Sequence, residues 1–321
     1  MSHSIFPLFA LSLSLLAIGC TTEETDPDQT FRTTTIGCGQ CSDSNSPQVD
    51  DFEVPELNED GDANGDSVSL VGAITPGNVL VPLEAIGDEL VAHTAGSDVM
   101  GLELIGYKLR VNTPNGLFDL LITAYEHYES WADGEADISA YGLRYASAEY
   151  PTGDGGSVCP GYPDDAAVVT VIGGETYDRE HKVIAIQGDD DWFTLACEGQ
   201  AAYKMKRLNY GPNQDFRAGT DPATPAERTA TLKMITADYC GAGTSYTAQG
   251  TEVDWFDVGG TILPSVPPTG ALLEALWTDT GAVCLDTPRL VTRTEVEEEC
   301  DLPTCDEIDP DKYAIVWSTY I

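Results

Sequence analysis

Within ITADYCGAGTSYTAQGTEVDWFD, residues 235–257, Asp238, Tyr239 and Cys240 set a carboxylate, a phenol and a thiol side by side. A nucleophilic cysteine needs a lowered thiolate pKa and a basic partner. The four histidines are His3, His93, His127 and His181, and none has motif spacing to a cysteine, a serine or a zinc-binding partner. Asp238 as a general acid or base is the other chemistry on offer, that of a secreted hydrolase with Asp238 in its site. With 54 Asp and Glu in 321 residues, a close carboxylate pair arises by chance and makes no case for a glycosidase. The plainer role for Asp238 is a helix C-terminal cap or backbone clamp, its carboxylate accepting main-chain N–H groups. Tyr239 reads as a packed ring with a wet hydroxyl. Gly241 and Gly243 suit left-handed or crowded backbone after a helix. Lys204, Lys206 and Arg207 form the one basic cluster, which either pairs internally with carboxylates or holds an anionic ligand. Trp192, Trp255 and Trp277 read as core rather than as a sugar platform.

A second constellation lies in EDGDANGDSVSL. Asp60, Asp62, Asn64, Gly65 and Asp66 follow the D-x-D-x-N-G-D spacing of a calcium loop, in which alternate oxygens converge and the glycine permits a sharp turn. Val71 stands where the loop needs its bidentate acid, so calcium is a weak candidate and the one cofactor the chain suggests.

The surroundings of these groups follow from composition. A formal net charge of −39 repels DNA, RNA and anionic membranes, so no nucleic-acid partner is expected. MSHSIFPLFALSLSLLAIGC carries an apolar run from Ile5 to Ile18, the length of a signal-peptide core and too short to span a bilayer. It ends in Ala17-Ile18-Gly19-Cys20, which resembles a bacterial lipobox, although the first residues lack Lys or Arg and Ala17 stands where Leu is usual. Cys20 is therefore the expected lipidation site after a signal peptide at 1–19, with simple secretion as the alternative. Thr21 in place of the Asp linked to inner-membrane retention favours the outer membrane, with the lipid as the only membrane contact. Export to an oxidising compartment turns the even set Cys38, Cys41, Cys159, Cys197, Cys240, Cys284, Cys300 and Cys305 into disulfide candidates. Cys38-Gly39-Gln40-Cys41 has neither a redox motif's strand and helix nor a second zinc-ligand pair, and reads as a local disulfide.

Residues 20–66 read as a lipid-anchored, disordered acidic tether, because so few apolar side chains cannot offset the ordering entropy. From Ser67 the pattern turns to β. Tyr107, Leu109 and Val111 alternate with Lys108 and Arg110, NTPNG turns, and Phe118, Leu120 and Ile122 alternate back as a hairpin. Further strands are expected around Leu70–Ile74, Ala140–Tyr145, Ala167–Ile172, Lys182–Ile186 and Trp192–Ala196, with a tight turn at AQGT and the terminal KYAIVWSTYI docked into a sheet. Two short helices are predicted, Gly199–Tyr210 and Pro225–Thr236, the latter with Thr224 as N-cap and proline at its first position. The class is mainly β (α+β) and disulfide-stabilised, with an N-terminal β region at 67–150 and a second domain at 151–321, or one continuous domain over 67–321.

Ala237-Asp238-Tyr239-Cys240 resembles the signature of the ADYC domain family, secreted and lipoprotein chains mainly of myxobacteria. FTLACEGQAAYK (193–204), LNYGP, ADYCGAGTSYTAQGTEVDWFD, LEALWTDTGAVCLDTPR (273–289) and VCPGYPDDAAVV (158–169) are similar to its other elements, over about residues 97–290. The resemblance places two further cysteines at Met205 and Thr231, and their joint loss implies a helix-to-helix pair missing from this chain. Proximity within the domain favours Cys284 as the partner of Cys240, and Cys159–Cys197 as the next pair. The family carries no activity to transfer. The expected function is that of a cell-envelope lipoprotein with a non-catalytic binding or structural role toward an unidentified ligand, the secreted hydrolase being the alternative.

Overall fold

The computed structural model describes residues 46–132, 134–149, 156–159, 168–189, 191–216, 221–248, 251, 253–260 and 270–321. The signal segment, Cys20, Cys38 and Cys41 lie outside the described residues, as does part of the AQGT turn.

Strands make up 40% of the chain and helices 13%, in agreement with the expected class. One nine-stranded antiparallel sheet runs in the order Glu56–Asn58, Trp192–Cys197, Val168–Gly173, Ile138–Ser147, Gly116–Tyr128, Lys108–Thr113, Ser69–Ile74 and Leu80–Val81, with Gly156–Ser157 paired onto Ile138–Ser147. It therefore takes strands from both sides of the 150/151 boundary. The alternation of the Tyr107–Ile122 hairpin is why it forms here: Leu109, Val111 and Leu120 are fully buried, while Arg110 pairs across the strands with Asp119 (Nε to Oδ1 2.7 Å).

The expected tether is corrected from residue 46 onward. Gln48–Val49 pairs with Phe52–Glu53, and Glu56–Asn58 forms the edge of the large sheet. Val49, Val54 and Leu57 are each fully buried, and these three side chains anchor a segment that is otherwise acidic. Three strands, Leu83–Ile86, Glu89–His93 and Asp98–Met100, make a smaller sheet joined to the first where Gly173 N–H donates to the Gly87 carbonyl at 2.8 Å.

The second half adds a four-stranded sheet ordered Asp254–Asp257, Trp317–Tyr320, Leu273–Thr278 and Gly281–Leu285, the C-terminal strand lying inside it. Against this sheet and the hairpin Glu175–Asp178/Val183–Gln187 sits the central helix α2, Pro225–Thr236, beside α1, Ala201–Arg207; a third helix, α3, Arg293–Glu297, was not anticipated. Thr224 closes α2 with a capping box to Glu227, the arrangement that makes proline acceptable at the next position. Every residue from Arg228 to Ile235 is buried, so α2 is enclosed on all sides. Its polar side chains consequently need internal partners, and the architecture of the candidate site follows from that demand.

Disulfides join Cys159 to Cys197, Cys240 to Cys300 and Cys284 to Cys305. The expected Cys240–Cys284 pair is thereby corrected. Both cysteines bond instead to the segment after the Gly281–Leu285 strand, whose path the sequence does not reveal.

Candidate functional site

Three buried polar residues of α2 find three different partners. Arg228 forks onto Glu175, with Nε 3.1 Å from Oε1 and Nη2 on Oε2. Thr231 Oγ1 accepts from Trp317 Nε1 at 2.9 Å. Lys233 Nζ donates to Asp238 Oδ2 (3.0 Å), the His181 carbonyl (2.9 Å) and the Gly241 carbonyl (3.0 Å). An ammonium has three N–H groups, and each of these has an acceptor.

The ADYC residues begin where α2 stops. Ala237 is the left-handed C-cap (φ 53°, ψ 41°), and the Asp238 N–H returns to the Lys233 carbonyl at 2.9 Å. The cap is thus Ala237 rather than Asp238. Asp238 is completely buried; its Oδ2 takes the Lys233 ammonium and the Gly243 N–H (3.0 Å), while Oδ1 has no hydrogen-bond partner. It is half the expected backbone clamp and half a buried ion pair. Gly241 (φ 70°) and Gly243 (φ 99°) let this loop pass close to its neighbours: a Cβ would stand 1.9 Å from the Thr280 carbonyl oxygen at the first and 1.9 Å from the Glu180 carbonyl oxygen at the second.

Tyr239 is fully buried, not wet at its tip. Its ring stacks between Trp277 (5.3 Å) and Tyr246 (5.6 Å), its hydroxyl donates to Glu274 Oε1 at 2.5 Å, and it accepts the Arg289 N–H at 3.0 Å. Glu274 in turn holds Arg289 in two bonds of 2.7 and 3.0 Å, and Arg289 Nη2 reaches the Met234 carbonyl at the end of α2 (3.0 Å). Tyr239, Glu274 and Arg289 are therefore one buried network that closes the helix terminus. Burial and the Glu274 carboxylate push the Tyr239 phenol well above its ordinary pKa, which keeps it protonated and excludes it as a base. Cys240 is in a disulfide and carries no thiol.

The basic cluster divides. Lys206 pairs with Asp88 (3.2 Å) and donates to Thr170 Oγ1 and the Val171 carbonyl, both 2.7 Å. The Arg207 guanidinium lies over the rings of Trp131 (4.8 Å) and Tyr128 (5.9 Å). Lys204 corrects the expectation of pairing: its Nζ is buried with no hydrogen-bond partner, and burial, then the nearby Arg289 charge, lowers its pKa to about 7. Met205 and Thr231 are both fully buried on helices that pack together, so ordinary core contacts occupy the positions where the resemblance puts cysteines.

In the calcium-like loop, Asn64 Oδ1 accepts from the N–H groups of Asp66 and Val68 (3.0 Å each), and Nδ2 donates to the carbonyls of Glu53 (3.1 Å) and Glu56 (3.2 Å). Asp66 Oδ2 accepts from Glu53 N–H (3.0 Å), Asp62 donates its N–H to Asn58, and Asp60 is exposed. The loop's side chains therefore brace the edge strand Glu56–Asn58 and the residues just before it. Among the described residues, no three His, Cys, Asp or Glu are gathered as a metal would require. Trp255 and Trp277 are buried as expected, whereas Trp192 is partly exposed at a cleft.

Sequence reasoning missed Glu274, Glu175 and Glu89 as structural acids. Glu89 accepts hydroxyls from Tyr125 (2.8 Å), Tyr141 (2.6 Å) and Ser139. Nothing in a chain with 54 carboxylates marks these three out.

No curated protein and no solved structure matches the chain. The family model of the ADYC domain matches residues 101–291, which contain α2, the Ala237–Cys240 signature, Glu274 and Arg289. On that match over more than half its length, the chain belongs to the ADYC domain family.

Proposed function

We propose that the chain is a bacterial cell-envelope lipoprotein, held at the outer membrane through Cys20, whose ADYC domain has a binding or structural role rather than a catalytic one. The observation that carries the second half is the state of the signature residues. Asp238 is completely buried against Lys233, Tyr239 is locked protonated between Glu274 and Arg289, and Cys240 is oxidised. A hydrolase built on Asp238 would need a solvent path to its carboxylate and a second titratable group facing it. Around Asp238 the charged neighbour is a fully bonded lysine.

The anchor rests on the Ala17–Cys20 segment and the polar residues that follow it. Metabolic labelling with a palmitate analogue tests it: the wild type labels and fractionates with membranes, and Cys20→Ser does neither. An unlabelled, freely released wild type would leave simple secretion.

A further inference from the structure

A cleft of about 450 Å³ opens between the Glu56–Asn58 strand, the turn at Asn64–Gly65 and the hairpin Glu175–Asp178/Val183–Gln187. Its floor follows from strand register. Thr194 lies opposite Glu56 and Trp192 opposite Asn58, so Glu56 and Trp192 emerge on the same face of neighbouring antiparallel strands. Ala185 and Ile186 add an apolar wall.

The charged lining is unbalanced: Glu56, Asp178 and Glu180 face a single cation, Arg179. Arg179 is itself engaged, with Nη1 on Glu53 and Ser46 and Nε 3.6 Å from Glu56 Oε1. Asp178 Oδ2 meets His181 Nδ1 at 2.7 Å. Glu56 Oε1 has that long ion pair but, although buried, no hydrogen bond. A desolvated acceptor in that state is unfavourable until a donor reaches it. An aromatic face adjoining it attracts cations, and the field of a chain at −39 concentrates cations and excludes anions.

We propose that this cleft binds a small organic ammonium: a primary amine on an apolar body, the ammonium donating to Glu56 and the body lying against Trp192 and Ile186. The site is separate from the signature residues, and it stands whether or not Cys20 carries lipid.

Benzylammonium chloride, titrated calorimetrically into the full chain at fixed ionic strength, is the probe; benzyl alcohol is its uncharged isostere. The expected result is one-to-one binding of the amine, with the alcohol at least about tenfold weaker. Glu56→Gln should weaken the amine about tenfold, and Trp192→Ala about threefold, with far-ultraviolet circular dichroism and the thermal midpoint close to wild type in both. Should Glu56→Gln fail to fold, Glu180→Gln on the exposed rim replaces it, with an expected loss of about threefold. No binding of the amine, equal binding of the alcohol, or wild-type affinity in the folded variant would each overturn the proposal. Displacement of the amine by micromolar calcium chloride would also overturn it, assigning the cleft to a metal.

Discussion

Replacing Lys204 by methionine should stabilise the protein, and the gain should fade as the pH rises. Lys204 is enclosed in α1 with its Nζ unpartnered, and its pKa falls from 10.5 to about 7. Between these values the unfolded chain keeps the proton and the folded chain has lost it. The unfolded state thus binds more protons, and stability climbs with pH across that window. Below about pH 7 both states are protonated and the whole penalty of burying the charge is present. At about 1.4 kcal/mol for each tenfold change in proton affinity, the penalty is at most about 5 kcal/mol at pH 6 and shrinks to about 1.4 kcal/mol at pH 9.5. Methionine preserves the stem's length and removes the charge. Urea unfolding of both proteins, followed by the fluorescence of the buried Trp255, Trp277 and Trp317, gives the difference at each pH, in which all other titrating groups cancel. A variant less stable than wild type at pH 6, or a gain equal at pH 6 and 9.5, would refute an unpartnered amine.

Arg289→Met strands the buried Glu274 and the last carbonyls of α2, so a loss of about 3–5 kcal/mol is expected in urea unfolding, with part of it recovered in the double variant with Glu274→Gln. Cys300→Ser opens the disulfide that spans 60 residues and should lower stability by about 4 kcal/mol, Cys240→Ser doing the same because both remove one bond. Asn64→Ala deletes four hydrogen bonds to main-chain groups; a loss of about 2–4 kcal/mol and earlier proteolysis of residues 46–66 are expected. Gly241→Ala drives a Cβ into the Thr280 carbonyl at a positive φ, and its thermal midpoint should fall by several degrees.

The strands were legible where one face is wet and the other buried, as in Lys108–Thr113 and Gly116–Tyr128, because alternation reports that asymmetry directly. The boundaries of α2 were legible for a local reason, the Thr224-Pro225 start and the glycines after Ala237. α3 has five residues and leaves no periodic trace. Residues 46–58 escape a compositional reading because three apolar anchors are hidden in acidic composition, and composition does not register which few side chains reach a core. The signature itself was recognisable, but its partners were not. Lys233 lies only five residues before Asp238, whereas Glu274 and Arg289 reach Tyr239 from a distant sheet and loop. Trp192 departed from the core role because its strand neighbours the short edge strand Glu56–Asn58, which leaves the ring at an open margin.

The structural role of the ADYC residues is tested most directly at Cys240. Alkylation of the unreduced, folded protein with iodoacetamide, followed by proteolysis and mass spectrometry, reads its state and its partner together. The expected result is an unmodified Cys240 recovered in a peptide linked to Cys300, beside Cys159–Cys197 and Cys284–Cys305 links. Stoichiometric alkylation of Cys240 before reduction would reveal a free thiol beside Asp238 and Tyr239 and contradict the account.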